Sequence, residues 1–183
     1  MGDVGRGFLA VVPPPAVLHE VADRSEVLDL PGTARRTTRL QWHVTLQFLG
    51  NRVDFEAVTD ALTALAVLSG QLRLGGAGAF PSERRARVLW IGIAQGEEYL
   101  AQLVAAIGKL LPPLGHEPPA RPYHGHLTLA RMKAPVDLRR AVVALGAEPV
   151  GKQWTAAEVV LFRSRTGRRG AEYEERARIR LPE

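Results

Sequence analysis

The sequence predicts an α+β protein built as two pseudo-symmetric lobes, each a mainly antiparallel sheet flanked by helices, with the active-site groove between them. Three observations lead there. Strand and helix signals are mixed and do not follow a strict βαβ alternation. One tetrapeptide pattern, H-x-T-L, occurs twice, at 43–46 and 126–129. A chain of 183 residues, 46% apolar and 23% charged, has the size and balance of one globular core. Residues 1–183 therefore read as a single domain of two internally related halves, each carrying one motif.

The elements follow in order. Residues 6–13 form a short apolar run that reads as a first strand. Pro14 and Pro15 open a helix reaching about Leu30, with Val17, Leu18, Val21, Val27 and Leu28 as its apolar stripe and Pro31-Gly32 as its stop. Polar and basic residues 32–39 read as a loop, and 40–49 as a strand ended by Gly50-Asn51. A helix over 54–68 starts on Asp54 as N-cap and stops at Ser69-Gly70. Strands over 71–74 and 87–93 are joined by a glycine-rich stretch and a charged patch. That stretch, 75–78, fits neither a dinucleotide fingerprint nor a P-loop and reads as flexible connection. A helix over 97–111, a Pro-rich loop at 116–122, a strand over 123–130 and a helix over 136–145 follow. Strands over 159–163 and 173–181, joined by a turn, complete the chain.

Composition narrows the function. The formal net charge is +5, and Lys109, Lys133 and Lys152 are the only lysines among 24 basic residues. Arginine presents a planar fork suited to phosphate, so the balance permits a phosphate or nucleic-acid partner. With no cysteine, disulfide and thiolate chemistry are excluded. No apolar run has the length of a membrane helix. The opening residues lack a signal-peptide core, and Arg6 breaks the myristoylation pattern. The expectation is a cytoplasmic monomer with no membrane contact and no obligate protein partner.

The two motifs carry the chemistry. Their histidines stand 83 positions apart (126 minus 43), close to half the chain, as a duplication leaves them. Side chains at i and i+2 of a strand share a face, which pairs His43 with Thr45 and His126 with Thr128. The aliphatic residues between and after them face the core. Two such strands side by side offer two imidazoles and two hydroxyls to one groove. In-line displacement at phosphorus needs a base for water and an acid for the departing oxygen. Histidine serves either role near neutrality, and threonine hydroxyls donate to the non-bridging oxygens. Either histidine fits either role on this reading.

These residues resemble the 2H phosphoesterase superfamily, and within it the RNA 2',3'-cyclic phosphodiesterases, also called 2'-5' RNA ligases. The likeness is carried by Gly7-Phe8-Leu9-Ala10-Val11, His43-Val44-Thr45-Leu46-Gln47-Phe48-Leu49-Gly50, Arg87-Val88-Leu89-Trp90-Ile91-Gly92 and His126-Leu127-Thr128-Leu129-Ala130-Arg131, with Ser164, Gly170 and Tyr173 in a C-terminal hairpin. The resemblance implies that His43 donates a proton to the departing 3' oxygen and His126 accepts one from water, leaving a 2'-phosphomonoester. It implies that Thr45, Thr128 and Arg131 hold the phosphate, that no cofactor or metal takes part, and that a reversible 2'-5' RNA ligase activity can accompany the hydrolysis. The partner it implies is an RNA or oligonucleotide with a 2',3'-cyclic phosphate end. Gly125 stands where the family usually has proline, and Gln41-Trp42 where it often has Asn-Leu. Strict alternation turns Arg131 away from His126, so its role requires a bend near Ala130.

Phe48 and Tyr123 are further candidates, for stacking on a base. The turn 163–169, with arginines at 163, 165, 168 and 169, is a candidate for tracking an RNA backbone. Three alternatives are weighed beside the main reading: a metal site of His43, His124 and His126, a non-catalytic RNA-binding module, and a phosphodiesterase for a small cyclic nucleotide derivative.

Overall fold

The computed structural model describes residues 4–167 and 170–183. Residues 1–3, part of the segment read for a leader, and two of the four hairpin arginines, Arg168 and Arg169, lie outside the described residues. In chain order the elements are β1 (Val4–Val11), α1 (Pro15–Glu26), β2 (Ala34–Arg36), β3 (Val44–Asp54), α2 (Phe55–Leu62), β4 (Gly70–Phe80), β5 (Ala86–Gln95), α3 (Glu97–Leu110), β6 (Leu127–Val136), α4 (Arg139–Leu145), β7 (Pro149–Ala156), β8 (Glu158–Gly167) and β9 (Gly170–Arg180).

The α+β class is borne out. Among the described residues the strands form one curled antiparallel sheet in the order β7-β4-β5-β6-β3-β1-β8-β9, with β2 beside β6. One group of four strands ends at β6 and the other begins at β3. The two groups meet at a single residue pair, Val44↔Leu127. Beyond it β3 and β6 part, and β2 takes the vacated edge of β6 through Ala34↔Met132, Arg35↔Arg131 and Arg36↔Ala130. Helices α1 and α4 pack on β7 and β4, while α2 and α3 pack on each other and on β3 and β9. Leu9, Val44, Leu62, Leu72, Leu89, Leu103, Ile107, Leu127 and Leu161, all fully buried, lie in the resulting core. No helix among the described residues is long and apolar enough to cross a membrane.

Several elements differ from expectation for local reasons. The glycine-rich stretch is part of β4, not a flexible connection. Its glycines mask the alternation because they have no side chain to show it. Gly78 lies under the Trp90 ring, where any Cβ would collide with the indole, so the missing side chain makes room for a neighbour's. Strand β3 runs past Gly50, which takes a positive φ of 90° and absorbs a register shift against β1. Helix α2 ends at Leu62, and the released chain is tied down where the Ser69 amide donates to the Pro182 carbonyl. The loop around residues 32–39 contains β2. Strand β7 was not expected: it is an edge strand opening on a proline, and only Val150, Gly151, Trp154 and Ala156 of it are buried. Strand β6 starts at Leu127 rather than at Tyr123.

Candidate active site

The single contact between the two motif strands sets the site. Val44 and Leu127 are directly paired, antiparallel and fully buried. Counting outward from an antiparallel pair, His43 falls opposite Thr128 and Thr45 opposite His126. Residues directly opposite share a face, so all four functional side chains lie on the side away from the core. Each histidine precedes its strand by one residue, and each is partly buried.

Hydrogen bonds orient both rings in the same way. His126 Nδ1 lies 2.9 Å from the His124 carbonyl, which accepts its proton and leaves Nε2 for the groove. His43 Nε2 lies 3.1 Å from Thr45 Oγ1, while its ring also bonds to the backbone of Gln41. Each imidazole is thus held by the carbonyl two residues before it, the kind of restraint that fixes a tautomer.

Both histidines are harder to protonate than a free imidazole. His43 is pushed down to about 4, chiefly by burial, with Arg131 and His126 adding positive charge and the Gln41 bond opposing. His126 is lowered in the same direction by burial, then by His124 and Arg131, against the bond to the His124 backbone. Arg131 therefore acts on both rings, although strict alternation turns it the other way.

A β-bulge resolves this. Against β5, Trp90 pairs with Thr128 and Leu89 with Ala130, so Leu129 is an extra residue in β6. Leu129 and Ala130 are both buried, and Arg131 emerges on the same face as Thr128. The first motif has the same device. Ala10 pairs with Thr45 and Leu9 with Gln47, leaving Leu46 as the extra residue and returning Phe48 to the groove. Phe48 and Arg131 thus occupy corresponding positions, five residues after their histidines.

The bulge in β6 is held from behind. The Thr37 hydroxyl lies 2.7 and 2.8 Å from the carbonyls of Thr128 and Leu129, and accepts from Trp42 Nε1 at 2.8 Å. The Thr37 amide donates to the Leu129 carbonyl as well. Trp42 is therefore a buried brace for the second motif. Gln41 caps the short helical turn before it and donates to the Ala171 carbonyl at 2.6 Å. Gly125 is equally local in its cause: a Cβ there would lie 2.8 Å from Ile93 Cγ1 and 3.1 Å from Leu100 Cδ1. Only glycine lets the turn before His126 sit this deep.

Aromatic rings flank each histidine, and most were not singled out by the sequence. Phe8 lies 4.6 Å from the His43 ring centre, with Tyr173 at 5.2 Å and Phe162 at 6.1 Å. Phe80 and Trp90 lie 5.0 and 6.1 Å from His126. The register could not be read from one strand at a time: Phe8 faces the groove because it pairs with Phe48 on one side and Phe162 on the other. Phe48 is 67% exposed at the lip. Tyr123 differs from the stacking expectation. It is partly buried, and its hydroxyl donates to the Thr45 carbonyl at 3.0 Å, tying the turn before His126 to β3.

Other candidates lie aside. His124 Nδ1 turns to Glu97 at 3.3 Å, and its ring stands 6.3 Å from that of His126. No group of three or more His, Asp or Glu side chains among the described residues is placed to hold a metal ion. Of the hairpin arginines, Arg163 lies over the Phe55 ring and Arg165 pairs with Glu174 at 3.0 Å.

Comparison with known proteins gives a consistent result. The model of the 2'-5' RNA ligase superfamily matches residues 13–168. A Thermus thermophilus protein named RNA 2',3'-cyclic phosphodiesterase is 34% identical over 73% of this chain and 68% of its own. One of the same name from Aeropyrum pernix is 31% identical over 57% of this chain and 60% of its own, so the chain spans about three fifths of that relative. The apo crystal structure of Escherichia coli LigT superposes with a TM-score of 0.78 at 25% identity, covering 100% of both chains.

Proposed function

Because the chain belongs to the 2'-5' RNA ligase superfamily, we propose that it opens the 2',3'-cyclic phosphate at an RNA end and leaves a 2'-phosphomonoester. The observation that carries this reading is the Val44↔Leu127 register, which sets two imidazoles and two hydroxyls on one face. In the reaction, His126 Nε2 takes a proton from water as the water oxygen attacks phosphorus. The bond from phosphorus to the 3' oxygen breaks, and His43 gives that oxygen its proton. Thr45, Thr128 and Arg131 hold the non-bridging oxygens, where charge builds in the transition state.

The order of donor and acceptor follows the family. The low pKa of His43 makes its protonated form a strong acid toward a departing alkoxide. Burial, and then Arg131 and His126, disfavour its protonation, so the anionic phosphate of the substrate supplies the missing counter-charge. Both histidines come from one chain, so a monomer suffices, and no step calls for a metal or organic cofactor. Phe48 at the lip offers a face to the terminal base.

The test is an oligonucleotide ending in a 2',3'-cyclic phosphate, incubated in excess chelator. A 2'-phosphate product is expected, with His43→Ala and His126→Ala each slowing turnover by about 10²–10⁴. A 3'-phosphate product, or activity abolished by chelation, overturns the mechanism. RNA binding with no turnover by the unsubstituted protein supports a binding module instead.

A further inference from the structure

We propose a second phosphate subsite beside the reacting one, formed by Arg35 on β2, which takes the 5'-phosphate of the terminal nucleoside. This rests on the proposed hydrolysis at the two histidines and names the part of the substrate that the site reads beyond the cyclic phosphate.

Three observations carry it. Arg35 is directly paired with Arg131 across β2 and β6, so the two side chains leave the sheet on the same face, about 5 Å apart at their Cβ atoms. The neighbour Arg36 confirms the alternation by pointing behind, where its guanidinium donates to the Ser25 carbonyl at 2.7 Å. Second, Arg131 is close enough to both histidines for its charge to oppose their protonation, so the position one strand further out adjoins the reacting phosphate. Third, neither Arg35 nor Arg131 has a carboxylate partner among the described residues, whereas Arg139, Arg165, Arg176 and Arg178 each pair with Asp or Glu. Like charges placed directly opposite across a sheet repel. Two guanidiniums held so, without an acid, make a cradle for a pair of anions.

The chemistry of the substrate says which anions. A chain ending in a 2',3'-cyclic phosphate has no nucleotide beyond it, so the next phosphate lies on the 5' oxygen of the same nucleoside. With the cyclic phosphate at the histidines and Arg131, that group falls to Arg35. The Arg35 guanidinium also lies against Gly170 at the start of β9, 3.0 Å from where a Cβ would stand. The first residue of β9 thus borders the far side of the subsite. A 5'-phosphorylated end then binds better than a bare nucleoside cyclic phosphate, which makes the site selective for polynucleotide ends.

The experiment compares adenosine 2',3'-cyclic phosphate with its 5'-phosphorylated form, using the unsubstituted protein, Arg35→Gln and Arg35→Lys. The protein should prefer the 5'-phosphorylated substrate in kcat/KM. Arg35→Gln should reduce that preference about tenfold, as expected for one charge-assisted contact, with partial recovery in Arg35→Lys. On an oligonucleotide, Arg35→Gln should also flatten the slope of log kcat/KM against log salt by about 0.7. A preference unaffected by Arg35→Gln, or an equal loss on both substrates, overturns the subsite. If neither substrate is turned over, the hydrolase reading fails instead. The subsite is then decided by calorimetry with adenosine 2',5'-bisphosphate and adenosine 2'-monophosphate, where the same loss of preference is expected and its absence refutes it.

Discussion

Removing His43 should reshape the acid sensitivity of the whole protein. The unfolded imidazole takes its proton near 6.5 and the native one only near 4. Between those values the unfolded chain binds more protons than the native one, so stability is full above the unfolded value and falls as pH falls. The gap of 2.5 pH units is worth up to about 3 kcal/mol at 1.36 kcal/mol per unit. About 2 kcal/mol of it should be lost by pH 5. These are upper figures, because the ring keeps some contact with water. The groups that face it set the size: Phe8, Phe162 and Tyr173 exclude water, and Arg131 and His126 repel a proton. His43→Gln keeps a hydrogen-bonding side chain beside Thr45 but cannot titrate. Lost packing on Phe8 should lower its stability by a nearly constant amount at every pH. Urea unfolding from pH 7.5 to 5, followed by fluorescence of the three tryptophans, measures both proteins. The unsubstituted protein should lose about 2 kcal/mol more than the variant over that range. Saturating inorganic phosphate should shrink the excess by pairing with the protonated ring. Parallel curves would refute the account of His43 as a buried neutral imidazole crowded by positive charge.

Further outcomes test the rest of the site. Arg131→Gln should raise the pKa of both histidines and move both limbs of the pH profile upward; limbs that stay in place would remove Arg131 from the groove. The same change should cost about 1.5–3 kcal/mol in kcat/KM, as a lost charged contact does. Thr37→Val leaves Trp42 Nε1 without its acceptor and removes the hydroxyl from the bulge carbonyls, the Leu129 carbonyl keeping only the residue-37 amide. It should cost about 1–3 kcal/mol of stability and lower kcat/KM, and an unchanged urea midpoint would contradict the brace. Gly125→Ala places a Cβ 2.8 Å from Ile93 Cγ1 and should push the turn at His126 outward by several tenths of an ångström. Its expected signature is a fall in kcat larger than the change in stability warrants; wild-type kcat would count against it.

The chain by itself determined the repeated motif, the class of fold and the sharing of a face by His43 with Thr45 and His126 with Thr128. All of these follow from spacing within one strand, which is local. Most helices were legible for the same reason: the stripe of α1, the Asp54 cap of α2 and the stripe of α3 are written in neighbouring residues. The glycine-rich second half of β4 and the whole of β7 were not legible, because glycines and an edge strand's polar residues erase the alternation that marks a strand.

Tertiary structure decided everything that depends on one strand's position against another. The Val44↔Leu127 pair brings the two motifs together. The extra residues at Leu46 and Leu129 return Phe48 and Arg131 to the groove. A bulge is defined by two residues facing one across a ladder, so no single-strand pattern contains it. Phe8, Trp90, Arg35 and Thr37 join the site for the same reason. Their neighbours there are distant in sequence, and only the register of the sheet supplies them.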